Sequence, residues 1–208
     1  LIPNGIDLQA VRTQAEREIP KDVAAFCESH GPVLIGVGRL SPEKAFDRVL
    51  RIAAALREEH ATLGVVIVGE GRARIDLEAR AKALGVPLCM PGFSDRVPAL
   101  MKRCDLLCMP SHTEGLPLTL LEAMTIGLPV AATPVGEIPT VLADGRGGTI
   151  LDAGDEDRMA EQVRTFLADD AGRNAAVTWS RERVESVYAS DVMSRSYEEL
   201  YLRLIEGR

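Results

Sequence analysis

At 208 residues, 46% hydrophobic and 26% charged, the chain has the make-up of a globular protein long enough for one large core, which excludes disordered and fibrous classes. Its longest apolar runs are strand-sized, short of the roughly 18 residues a transmembrane helix needs. A formal net charge of −7 and an aromatic content of 4% argue against a surface that tracks or stacks on a nucleic acid, so no nucleic-acid partner is expected.

The chain opens on Leu1-Ile-Pro-Asn-Gly-Ile-Asp7, without an initiator Met or a targeting pattern, and reads as a piece of a longer protein. The Asn4-Gly5 turn signal follows an apolar dipeptide and predicts a strand begun upstream. From there, apolar runs of strand length alternate with amphipathic segments of helix length. Strands are predicted at residues 33–38, 64–69, 87–91, 105–110, 129–133 and 148–151. Helices are predicted at 46–59, 73–84, 96–103, 117–126, 137–142, 155–168 (capped by Asp155), 171–187 and 191–205 (capped by Ser190). Strands that are almost wholly apolar are expected to be covered on both faces.

This order predicts a doubly wound, Rossmann-like α/β fold, with a mostly parallel six-stranded sheet and helices on both faces. One domain is expected over residues 1–208, with 171–208 as a helical tail. Ligands should collect in the loops at the carboxyl ends of the strands, at 38–44, 69–72, 92–95, 111–117 and 134–137.

The four cysteines, Cys27, Cys89, Cys104 and Cys108, lack the spacing of a disulfide framework, so reduced thiols in a cytoplasmic setting are expected. Cys104, Cys108 and His112 are conceivable metal ligands. Cys108, however, lies inside an apolar run that points it into a packed sheet, so buried small hydrophobes and no metal are expected.

In the first of these loops Arg39 and Lys44 bracket a turn between a buried strand and a helix, a placement that suits clamping a phosphate. Gly36-x-Gly38 also begins a dinucleotide fingerprint. Ser41 stands where the third glycine belongs, and the acidic Glu70 comes later than the fingerprint requires, so NAD is not expected.

The strongest local signal is Ser111-His-Thr-Glu-Gly-Leu-Pro-Leu-Thr-Leu-Leu-Glu122, directly after a buried strand. With Pro117 in the first helical turn, residues 115–119 should present free amides and the positive end of the helix dipole to an anion. Glu114 then stands at the mouth of that site and Glu122 about one and a half turns into the helix. Two carboxylates beside an anion site repel it unless they serve a sugar, whose vicinal hydroxyls they accept. A nucleotide sugar satisfies both demands.

These residues resemble the retaining family-4, or group 1, glycosyltransferases of the GT-B fold, and the resemblance covers nearly the whole chain. Ile2-Pro-Asn-Gly-Ile-Asp7 is similar to the start of that family's C-terminal, donor-binding domain. Gly38-Arg39-Leu40 with Lys44 is similar to its diphosphate clamp, and Val68-Gly-Glu-Gly71 and Gly92-Phe-Ser-Asp95 also fit. Glu114 and Glu122 have the spacing of its E-x7-E motif, followed by Ala123-Met124 and Gly127-Leu-Pro-Val130.

The resemblance implies a role for each of these positions. Arg39 and Lys44 hold the diphosphate and stabilise the charge that develops on the leaving group. Leu116, Leu118 and Thr119 offer main-chain amides, with the Thr119 hydroxyl in addition. Glu122 takes the ribose hydroxyls and Glu114 the transferred sugar, so Arg39, Lys44 and Glu114 form the catalytic set, and Phe93 and Asp95 lie near the nucleobase. No cofactor is implied; the substrate is a UDP-, GDP- or ADP-sugar, used without a metal. The acceptor, a sugar or lipid-linked glycan, would be held mainly by an N-terminal domain absent from this chain, which leaves the isolated piece inactive. A cytoplasmic enzyme of polysaccharide synthesis, peripheral on the inner membrane when intact, is the implied setting.

Three departures stand out. Ala45 replaces the usual glycine after the clamp lysine and is expected to shift the turn; Gly136-Glu-Ile-Pro-Thr140 alters the loop after the fifth strand; and the acceptor domain is missing. A non-catalytic nucleotide-sugar module and a sugar-nucleotide epimerase of the same fold are the other readings. In the last helices, Tyr188, Val192, Tyr197, Leu200, Tyr201 and Leu204 leave an apolar stripe for docking.

Overall fold

A computed structural model describes residues 2–207. Six parallel strands form one sheet: β1 (Val33–Val37), β2 (Gly64–Val68), β3 (Leu88–Gly92), β4 (Leu106–Met109), β5 (Val130–Ala132) and β6 (Thr149–Ile150). Their order is β3-β2-β1-β4-β5-β6. The helices are α1 (Leu8–Ala15), α2 (Lys21–Ser29), α3 (Phe46–Leu56), α4 (Arg74–Leu84), α5 (Val97–Met101), α6 (Leu118–Ile126), α7 (Ile138–Val141), α8 (Glu156–Ala168), α9 (Asp170–Val187) and α10 (Ser190–Ile205).

The strands alternate between two cores because successive side chains leave opposite faces. Ile35, Val66, Leu107 and Val130 enter the core under α1, α5, α6 and α9. Leu34, Val65, Leu106 and Ala131 enter the other, under α3, α4 and α8. Burial on both faces accounts for the unbroken apolar runs, each fully buried Leu, Ile or Val contributing about 1.5–3 kcal/mol. Cys108 is fully buried in β4, while Cys104 and His112 fall at opposite ends of that strand, too far apart to share a metal with it.

Two helices before β1 were not predicted. In α1 only Val11 and Ala15 are buried, and in α2 only Val23, too sparse a stripe to register as periodicity. The strand expected before Asn4-Gly5 is absent among the described residues; instead Ile6 makes a single parallel bridge to Ala189, its amide donating to the Tyr188 carbonyl at 2.8 Å. Asp155 caps α8 as expected, accepting from the Arg158 amide at 3.0 Å. Ser190 does not cap the last helix: Ala189 occupies the cap position and Ser190 is the first helical residue. In the C-terminal stripe Tyr188 turns inward and is buried, whereas Tyr197, Leu200, Tyr201 and Leu204 are exposed on α10.

In a doubly wound sheet the connections run outward in both directions from one point, leaving a crevice there at the carboxyl ends of the strands. Here that point lies between β1 and β4, so the loops carrying Arg39–Lys44 and Ser111–Thr119 face each other across it.

Candidate functional site

β1 and β2 end in glycines that meet back to back. The Gly38 amide donates to the Val68 carbonyl at 2.9 Å, and a Cβ on Gly69 would lie 1.9 Å from the Gly38 oxygen. Only glycine permits that approach. Leu40, buried, is anchored through its amide to the Glu70 carbonyl at 2.9 Å. With Leu40 turned in, Arg39 is exposed, and its guanidinium has no ion-pair partner among the described residues.

The rest of the loop, expected to be a turn, is a 3-10 turn at Pro42–Lys44. It leads into Ala45, which adopts a left-handed conformation (φ 48°, ψ 41°) with its methyl group buried. That conformation costs a non-glycine residue about 1–2 kcal/mol. Ala45 therefore takes up local strain while the turn still carries Lys44 across to the facing loop.

On the facing loop, Ser111 is buried directly after β4, and its hydroxyl donates to Glu114 Oε1 at 2.7 Å. The Thr133 hydroxyl, at the end of β5, donates to the Ser111 carbonyl at 2.6 Å. Lys44 Nζ stands 2.7 and 2.8 Å from the two Glu114 oxygens. The Glu114 side chain is 7% exposed and that of Lys44 23%, so the pair is largely withdrawn from water. A backbone bond from the His112 amide to the Glu43 carbonyl, 2.8 Å, ties the two loops together a second time.

The loop after β5 closes the third side. Gly136 (φ 57°) packs so closely that a Cβ there would lie 2.2 Å from the Glu114 carbonyl oxygen, and the Glu137 amide donates to the Gly115 carbonyl at 3.0 Å. The altered Gly136-Glu137 pair thus buttresses the anion loop through its backbone.

Pro117 caps α6 (ψ 118°) rather than entering its first turn, a correction of one position. The consequence for the amides is as expected: those of Gly115, Leu116, Leu118 and Thr119 donate no hydrogen bond among the described residues. They leave a set of backbone donors at the positive end of the helix. Glu122, further along α6, is half-buried and has no hydrogen-bond partner there, and burial pushes its carboxyl up to about 7.

At the end of β3, Phe93 is 81% exposed. Asp95 is also exposed, but it is engaged by Arg17 at 3.3 Å and Arg96 at 3.7 Å. Of the residues singled out in the sequence, Lys44 and Glu114 are thus in direct contact. Arg39 and the Leu116, Leu118 and Thr119 amides belong to the two facing loops, and Phe93 and Asp95 sit on a loop two strands from β1. Ser111, Thr133 and the His112–Glu43 tie were missed; the only signal for the first was a small polar residue three positions before Glu114, immediately after an apolar strand.

The chain matches the family described as glycosyl transferases group 1 over residues 23–183. It is 34% identical over 191 residues to the D-inositol 3-phosphate glycosyltransferase of Rhodococcus jostii (strain RHA1), covering 84% of this chain and 42% of that protein. It is 30% identical over 187 residues to the 2-deoxystreptamine glucosyltransferase of Streptomyces kanamyceticus, covering 88% and 48%. The chain therefore spans less than half the length of these relatives. Among solved structures, Anabaena HepE in complex with UDP superposes with a TM-score of 0.81 at 21% identity, over 96% of this chain and 56% of that one. The C-terminal domain of a group 1 glycosyl transferase family protein from Francisella tularensis gives 0.73 at 22% identity, over 89% and 99%. At these identities the structures establish a shared fold.

Proposed function

The chain belongs to the group 1 glycosyltransferases, and from that premise we propose that it is the donor-binding domain of a retaining, metal-independent hexosyltransferase that uses a nucleoside-diphosphate sugar. The observation that carries this reading is the Lys44–Glu114 ion pair at the switch point of the sheet, beside unengaged amides at the start of α6. That arrangement offers positive charge and backbone donors to a diphosphate within reach of a carboxylate suited to sugar hydroxyls.

In this reading the diphosphate lies between Arg39, Lys44 and the amides of Leu116, Leu118 and Thr119. These groups stabilise the charge that builds on the leaving phosphate as the glycosidic bond breaks, the part a metal plays elsewhere. Glu114 holds the transferred sugar, and Glu122 accepts from the ribose hydroxyls. The base rests against Phe93, with Asp95 at its edge. Because HepE has been crystallised with UDP and with UDP-glucose, UDP is the first base to test. The acceptor, a sugar or lipid-linked glycan, is held by a further domain of the intact cytoplasmic enzyme. Closure of the two domains excludes water, and the isolated chain binds donor without transferring it.

Calorimetric titration with UDP, GDP, ADP and NAD in excess EDTA tests the reading. One nucleoside diphosphate should bind, and both Arg39→Ala and Glu122→Ala should weaken it. Binding of NAD indifferent to Glu122, loss of binding in EDTA, or robust sugar transfer by the 208 residues alone would each count against a stated part of it.

A further inference from the structure

Four polar side chains are buried among the described residues: Ser111, Thr125, Thr133 and Ser180. Burying a hydroxyl costs free energy unless it finds a partner. Three of them find a backbone carbonyl. Thr125 donates to Leu121 in its own helix at 2.7 Å, Ser180 to Gly147 at 2.8 Å, and Thr133 to Ser111 at 2.6 Å. Only Ser111 donates to a side chain, and that side chain is Glu114.

The backbone that carries Ser111 is pinned on each side of it. The Pro110 carbonyl accepts from Arg48 Nη1 at 3.3 Å, the Ser111 carbonyl from the fully buried Thr133, and the His112 amide donates to the Glu43 carbonyl at 2.8 Å. Arg48 is itself fixed: its side chain is 14% exposed, and its other terminal nitrogen donates to the Ala153 carbonyl at 3.2 Å. Three successive residues after β4 are thus tied to α3, to the end of β5 and to the 3-10 turn. Loop backbone more often runs over the surface and is satisfied by water.

The two Glu114 oxygens differ as a result. Oε1 accepts from both Ser111 and Lys44, whereas Oε2 accepts from Lys44 alone. A phosphate that competes for Lys44 therefore leaves Oε1 held by Ser111 and Oε2 open.

On the reading above that Glu114 holds the transferred sugar, we propose that Ser111 is its positioning residue. The Ser111 hydroxyl anchors Oε1 and leaves Oε2 to accept from a sugar hydroxyl, while Thr133 and Arg48 fix the backbone from which Ser111 acts. A carboxylate already fixed in this way loses little freedom when it accepts that bond, so more of the interaction appears as affinity for the sugar. Lys44 serves the diphosphate without setting Glu114 loose.

Calorimetry on the 208-residue chain tests this by comparing UDP-glucose, GDP-mannose and ADP-glucose each with its free nucleoside diphosphate. The pair followed is the one in which the wild type binds the sugar nucleotide more tightly. Ser111→Ala should lower that ratio of affinities about tenfold, in line with one hydrogen bond to a charged group, and Glu114→Gln should lower it too. Thr133→Val, which keeps the shape and removes the hydroxyl, should lower it in the same direction and serves where the alanine variant does not fold. A ratio that falls in Glu114→Gln but holds in both hydroxyl variants would overturn the positioning role and leave the sugar reading standing. Equal losses of affinity for nucleotide and sugar nucleotide in Ser111→Ala would reduce Ser111 to a structural residue. A ratio unmoved by Glu114→Gln, or no sugar nucleotide bound more tightly than its nucleotide, would overturn the sugar reading and the positioning role with it.

Discussion

The Lys44 ammonium grips both oxygens of Glu114, at 2.7 and 2.8 Å, while the Ser111 hydroxyl donates to one of the same oxygens from the other side. A residue assigned to the diphosphate and one assigned to the sugar thus hold each other. A diphosphate bound here competes with Glu114 for the Lys44 ammonium, and Ser111 keeps the carboxylate in place as it does so. Glu114→Gln removes both the competing anion and its repulsion of the phosphates. It should tighten UDP about tenfold, roughly 1.4 kcal/mol, while lowering transfer by the intact enzyme. Calorimetry on the two proteins decides it, and weaker UDP binding by the variant would place Glu114 on the diphosphate instead.

Ser111 is the stability counterpart of that pair. Its alanine variant leaves a 7%-exposed carboxylate short of one donor, which should cost about 1–3 kcal/mol. Urea unfolding measures it directly. An unchanged midpoint would mean that Lys44 alone satisfies Glu114.

Why the strands were legible and this triad was not is a matter of range. β1, β2 and β4 are buried on both faces, so every residue in them is constrained to be apolar and the sequence is locally redundant. Glu114 and Glu122 were legible through their spacing. That Lys44 meets Glu114 and that Thr133 reaches the Ser111 carbonyl are encounters made by the strand order, which no local window contains. The one-position shift at Pro117 and the cap at Ala189 are errors of helix boundary, where several cap geometries suit one sequence.

Glu122 yields a prediction in pH. Its folded carboxyl lies at about 7 against an ordinary 4.5, so in this window the folded state binds more protons than the unfolded state. Stability contributed by this group is therefore fully present below about pH 4.5 and declines as pH rises through 7, by roughly 3 kcal/mol at 1.36 kcal/mol per unit. Glu122→Gln should match the wild type at pH 4.5 and exceed it in urea midpoint at pH 8. UDP affinity should move the opposite way, rising through pH 7 as the carboxylate forms and becomes the stronger acceptor for ribose hydroxyls, and the Gln variant should flatten that rise. Parallel pH curves for the two proteins would detach Glu122 from both effects.

Phe93 separates binding from folding. At 81% exposed it contributes little to the core, so Phe93→Ala should leave the urea midpoint within about 0.5 kcal/mol of the wild type. Stacking of a base on an aromatic ring is worth about 1–3 kcal/mol, so the same change should weaken UDP about tenfold or more. Inorganic pyrophosphate, which has no base, should bind the two proteins equally. A loss of pyrophosphate affinity in the variant would mean that Phe93 shapes the phosphate loops, and an unchanged UDP affinity would move the base to another surface of the cleft.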